Sequence, residues 1–223
     1  MKRILLVITV LLSCPGFAAA QTASSLSAYF ASAGEPASPM EPDLDTVRLV
    51  TERFRDVNVA LAEGYVRDPN NICETAEMMG EPAELGVMGI HFFRPDLLGI
   101  TGAAPRVNGT GTHTDFARPS ILIYEPQADG SLALVAVENL VFKTAWDALH
   151  TEPPSFYGLP YDLMVDDPAT AVDEAHLFEP HYDRHVWLYR ENPNGVFAKF
   201  NPHATCRYHT GPASHNDHTS HHE

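Results

Sequence analysis

The chain has 223 residues, with 14 Lys plus Arg against 29 Asp plus Glu and a formal net charge of −15. Apolar residues make up 44%, enough to build a core, which excludes a wholly disordered chain. The acidic balance excludes a nucleic-acid binder that works by neutralising phosphates, and it disfavours docking on anionic membranes.

The N-terminus reads as an address. Lys2 and Arg3 precede the apolar run from Ile4 to Leu12, and Ala18, Ala19 and Ala20 fit a small-residue cleavage site before Gln21. The run is too short to span a bilayer. Residues 1–20 are thus expected to be a signal peptide. The mature protein would be periplasmic or secreted, more acidic still, and free of a transmembrane segment. Leu11-Leu12-Ser13-Cys14 also resembles a lipoprotein cleavage box, with Cys14 as the lipid anchor. Pro15 and the Ala-x-Ala site downstream favour soluble export. Of the three cysteines, Cys73 and Cys206 survive this cleavage. Two cysteines in an oxidising compartment are expected to pair, closing a long loop worth roughly 5 kcal/mol on the chain-entropy account. Two thiolates on a metal are the alternative, but neither cysteine sits in a Cys-x-x-Cys pair.

Residues 21–43, rich in Ala, Ser, Pro and Glu, read as a flexible leader, and the globular domain is expected at 44–206. Its first element is an amphipathic helix from Leu44 to Gly64. Val47, Val50, Phe54, Val57 and Leu61 recur at spacings of three and four, Asp43 or Asp45 stands as cap, and Gly64 ends it. Val87–Phe93 is a predicted strand. Ser120–Glu125 and Leu132–Phe142 flank the turn Pro126–Gly130 and predict a hairpin. Lys143–Leu149 predicts a short helix. Residues 151–183, with several prolines and many acids, predict a long irregular loop. Arg184–Arg190 and Val196–Phe200 flank Glu191–Gly195 and predict a second hairpin. Hairpins without a βαβ rhythm point to an α+β single domain, an antiparallel sheet or small barrel with an N-terminal helix. Residues 207–223 read as a disordered His-rich tail.

Three residues interrupt apolar strands with chemistry: His91 in Met88-Gly-Ile-His-Phe-Phe93, Glu138 in Val135-Ala-Val-Glu-Asn-Leu140, and His185 in His185-Val-Trp-Leu-Tyr189. A buried carboxylate must find a partner, because an isolated buried charge is costly. Two imidazoles and one carboxylate around an open position suit zinc, iron or copper. The competing expectation is that Glu138 hydrogen-bonds a backbone group or pairs with an arginine, and that each histidine is a satisfied core residue. His113, beside Asp115, and His181 are further possible ligands. His181 and His185 have a helical ligand spacing, but Pro180 argues against a helix, and His176 and His181 read as solvated loop histidines, with a supporting or gating role at the site as the alternative. No His-Glu-x-x-His is present. The Gly109–Asp115 segment suggests a tight loop able to cradle an anion, yet it lacks a Walker ending. Asp162, Asp166, Asp167, Asp173 and Glu174 form an acidic group without EF-hand spacing. Six of the twelve histidines lie from His203 onward, and His215, His218, His221 and His222 form a tail able to collect copper, nickel or zinc.

The blocks Met88–Phe92, Pro119–Pro126, Leu134–Glu138, His185–Phe197, Asn201-Pro202 and Cys206 resemble a group of secreted bacterial proteins to which no activity is attached. The resemblance spans about residues 50–206 and implies one exported domain with these blocks as its core. No catalytic role comes with it. The expected function is metal-ion or small-polar-ligand binding. The alternatives are a cupin-like metal-dependent enzyme with a His/His/Glu site, and a structural protein whose histidines are merely satisfied.

Overall fold

The computed structural model describes residues 41–212. The expected signal peptide, the expected leader as far as residue 40, and His215, His218, His221 and His222 lie outside the described residues. The strands are β1 (Val66–Arg67), β2 (Glu74–Thr75), β3 (Val87–Phe93), β4 (Ile100–Gly102), β5 (Asn108–Gly109), β6 (Ile121–Pro126), β7 (Leu132–Phe142), β8 (Ser155–Phe156), β9 (Leu159–Pro160), β10 (Asp162–Met164) and β11 (His181–Val186). One open, antiparallel, seven-stranded sheet runs in the order β1-β3-β6-β7-β11-β10, with β2 also paired to β3. The fold is therefore α+β with an antiparallel sheet, and the sheet does not close into a barrel.

β7 is the axis of the molecule. Its sequence, Leu-Ala-Leu-Val-Ala-Val-Glu-Asn-Leu-Val-Phe, is an apolar run broken by Glu138 and Asn139, as a strand covered on both faces requires. One face packs on the N-terminal helical segment, where Leu44, Val47, Phe54 and Tyr65 meet Ile90, Phe92, Leu122, Tyr124, Val137 and Val141. The other face packs under loops. Leu98, Val107 and Phe178 cover Phe93, Ile121, Ile123, Leu140, Phe142 and Trp187 there. The helix expected over 44–64 forms in three pieces: α-helices Leu44–Thr51 and Val57–Ala62 with a 3-10 turn Glu52–Arg55 between them. Asp43 caps the first through Thr46 N. Asp56 leaves helical backbone (ψ 106°) and caps the second through Asn58 N, which is the physical reason for the break. Val50 and Val57 are only half-buried and Leu61 is exposed, so past Phe54 the buried line shifts to Ala60, with Val57 and Val59 at its edge.

Two other expectations need correction. The supposed loop 151–183 contains β8, β9, β10 and the start of β11. Val196–Phe200 is not a strand. Trp187 N donates to Val196 O, and the chain then turns through Asn192–Ala198 under the Trp187 indole, whose Nε1 donates to Ala198 O. Cys73 and Cys206 form the expected disulfide, tying the segment before β2 to the C-terminal strap. Beyond it, His209 Nε2 donates to Asn71 O, 2.8 Å away, so order continues past residue 206.

Candidate metal centre

The strand register brings the three singled-out residues together. His185 on β11 is directly opposite Glu138 on β7, and Glu138 is opposite Ile121 on β6. His91 on β3 is opposite Ile123, two residues along β6 and so on the same face. All three point into the loop-covered side. His91 Nε2 lies 3.3 Å and His185 Nε2 3.5 Å from Glu138 Oε2. One ligand atom from each of the three falls within 4.8 Å of the others, and all three residues are buried. No arginine faces Glu138 among its described contacts. Neighbouring Arg184 turns to the other face and reaches Phe197 O and Asp162.

These groups are crowded but not satisfied. His91 Nε2, both oxygens of Glu138 and both ring nitrogens of His185 lack an aligned hydrogen-bond partner. Burial works against charge on Glu138, but His185 and then His91 favour it, and its carboxyl stays below the ordinary range. Burial pushes His91 down, and the Glu138 carboxylate outweighs it, so His91 is raised. His185 is lowered to about 4 by burial, only partly offset by Glu138, and is a neutral ring with a bare lone pair at neutral pH. Proton and carboxylate thus pair at His91, while His185 offers a ready ligand.

A second group adjoins the first. His176, His181 and Asp183, all buried, also bring one ligand atom each within 4.8 Å of one another. His181 Nδ1 is 2.9 Å from the Glu179 carbonyl, which can only accept, so Nδ1 carries the proton and Nε2 the lone pair. Burial lowers His181 to about 4, with the Glu179 carbonyl opposing. Burial, then the charge of Glu138, raises Asp183 well above the usual carboxylate range. The rings link the groups: His91 to His185 at 6.3 Å, His91 to His176 at 5.9 Å and His176 to His181 at 5.2 Å between centroids.

The other candidates go elsewhere. His113 is half-buried and bonds the Arg118 carbonyl at 2.7 Å, joining neither group. Gly109 and Gly111 are there for close packing, since a Cβ would collide with the Leu97 and Leu98 carbonyls and the Phe142 ring. The acids of the 160–175 region are taken up by basic or hydroxyl partners. Asp166 and Asp173 pair with Arg106, each at 3.0 Å, and Glu174 accepts from Thr170 Oγ1. Trp187 stacks 6.4 Å from His185, and Tyr189 turns to the helix and donates to Arg48 O. Asp183 escaped sequence reading, although His181-x-Asp183-x-His185 has the period-two spacing that puts all three on one strand face.

No protein-family model, curated protein or solved structure matches the chain. Among the described residues no helix is long and apolar enough to cross a membrane.

Proposed function

We propose that this is an exported metal-binding protein that holds a first-row transition cation on His91, Glu138 and His185. The observation that carries the reading is the buried trio itself. Three strands each bring a ligand-type side chain to one point of the buried core, with ring nitrogens and carboxylate oxygens that lack an aligned hydrogen-bond partner. Leaving such an atom unpaired costs about 1–3 kcal/mol, and more when it is charged. A cation removes that cost at all of them together. Nitrogen and oxygen donors without thiolate suit zinc, iron or copper better than a soft ion such as Cu(I). Binding is the reading preferred to turnover because two open clefts among the described residues are lined by other side chains. One is walled by Arg55, Arg67, Gln127 and His209, another by Met78, Cys206 and His209. The disulfide suits an oxidising compartment. The tail histidines would serve as an accessory collector of the same ions.

The test is elemental analysis of the full chain carrying its own export signal, with His215, His218, His221 and His222 replaced by Asn. The expected result is near-stoichiometric metal that is lost in His91→Ala and in His185→Ala. Protein that folds and carries no metal, or that keeps it in both variants, overturns the reading.

A further inference from the structure

The buried polar face does not stop at the trio. Asp183 is two residues from His185 on β11 and opposite Leu140, and His181 is two further and opposite Phe142. All three β11 side chains therefore form one row on the same face as Glu138, spaced about 7 Å apart along the strand. His181 Nε2 and Asp183 Oδ2 stand 3.9 Å apart. Neither these two atoms nor Asp183 Oδ1 have an aligned hydrogen-bond partner. A cation between them would engage the His181 lone pair and an Asp183 oxygen together, releasing any proton the carboxyl holds. A third ligand is delivered from above. His176 and Leu177 adopt left-handed backbone (φ 40° and 66°), which non-glycine residues rarely do. The turn is pinned by Leu177 N to Asp173 Oδ2 at 2.9 Å, by Val107 N to Leu177 O at 2.8 Å, and by Arg106, which bridges Asp166, Asp173 and the Phe178 carbonyl. Several bonds thus hold a sparsely populated backbone whose effect is to seat the His176 ring beside His91 and His181.

We propose that the protein holds a pair of divalent cations, the first on His91, Glu138 and His185 and the second on His176, His181 and Asp183, with Glu138 shared between them. This rests on the trio being a metal site and extends it to the row beyond. Four imidazoles and two carboxylates make a borderline-to-hard set, suited to zinc, manganese or iron. Two divalent ions carry twice the charge of the two carboxylates, and the imbalance is met by hydroxide or another small anion between the ions, as in other paired sites about 3.5–4 Å apart.

The test uses the full chain with the four tail histidines replaced by Asn. Zn²⁺ is titrated against a competing chelator and retained metal is counted. In parallel, Mn²⁺-loaded protein is read by electron paramagnetic resonance, which distinguishes a spin-coupled pair from isolated ions. The expected result is two tightly held Zn²⁺ per chain and a coupled Mn²⁺ signal, falling to one Zn²⁺ and an isolated-ion signal in Asp183→Asn and in His181→Gln. One Zn²⁺ in the parent, lost in His185→Ala and unchanged in Asp183→Asn, overturns the pair and leaves the single site standing. Two Zn²⁺ with only isolated Mn²⁺ signals overturns the pairing. No retained metal in either experiment overturns both readings. The counts and spectrum of the parent protein decide the matter even if a variant fails to fold.

Discussion

The two faces of the central sheet bury polar groups in opposite ways. On the helix-covered face three phenol tips find partners: Tyr65 Oη donates to Pro119 O and Tyr124 Oη to Phe54 O, both at 2.6 Å, while Tyr189 Oη reaches Arg48 O and Thr51 Oγ1; the open atoms there, Tyr161 Oη, Asn139 Nδ2 and Arg184 Nε, are scattered and include no carboxylate. On the loop-covered face, strands of the same sheet present Glu138, Asp183, His181 and His185, all with 0% exposure and with acceptor atoms that have no donor. The faces differ in the kind and clustering of their open groups: single atoms on the helix side, converging imidazoles and carboxylates on the loop side. That clustering, and not burial alone, is what supports the proposed site.

The comparison breaks most sharply under deletion of the helix-face core. Phe54→Ala removes a fully buried ring that packs edge-on to Tyr65 at 5.1 Å. It is expected to cost about 3–5 kcal/mol in denaturant unfolding while leaving metal content unchanged. Loss of metal in a folded Phe54→Ala protein would show that the faces are not independent. On the other face, stripping metal is expected to lower stability by about 4 kcal/mol relative to protein held at free ion a thousandfold above its dissociation constant. Differential scanning calorimetry with and without chelator checks this, and an unchanged midpoint would contradict it.

A smaller and more telling contrast compares two polar deletions. Tyr124→Phe removes a satisfied hydroxyl and should cost about 1 kcal/mol whether or not metal is present. Glu138→Gln removes the carboxylate that faces the His91 proton. It should cost about 1.5–3 kcal/mol in metal-free protein, and should abolish metal-dependent stabilisation. Equal penalties for both in metal-free protein would mean that no charge pairs with His91.

The smallest effect is in pH dependence. His185 titrates near 4 in the fold, lowered by burial, against an unperturbed value of 6.5. Between those values the unfolded chain binds a proton that the folded one refuses. Its contribution is therefore whole above pH 6.5 and is lost as pH falls towards 4. His91, raised, has the opposite sign: its contribution is present below pH 6.5 and fades as pH rises through its folded value. In metal-free protein His185→Asn should thus lessen the loss of stability between pH 6.5 and 4, and His91→Asn should lessen the loss above 6.5. Urea midpoints across that range measure both. Identical profiles for the two variants would contradict the placement of the proton on His91.

Much of this was legible in the chain. β3 and β7 follow their apolar runs to the residue, because a strand buried on both faces shows as uninterrupted hydrophobicity. Glu138 stood out for the same reason, as the one carboxylate inside β7. β11 was harder. Pro180 and the charged Asp183-Arg184 pair hide its start, so the strand begins at His181 and not at 184, and Asp183 went unseen as a ligand type. His176 could not have been placed, since its position depends on a left-handed turn held by Arg106, a contact 72 residues away along the chain at Phe178. The break at Asp56 was equally hidden, because a capping aspartate inside an apolar helical period looks like any exposed acid.

The most direct measurement is anomalous diffraction at a metal absorption edge from crystals of protein purified by way of the periplasm. The account predicts an anomalous peak bonded to His91 Nε2, a Glu138 oxygen and His185, inside the loop-covered face of the sheet. Clear density for that face without such a peak, with the histidines and Glu138 instead hydrogen-bonded to one another or to water, would contradict it.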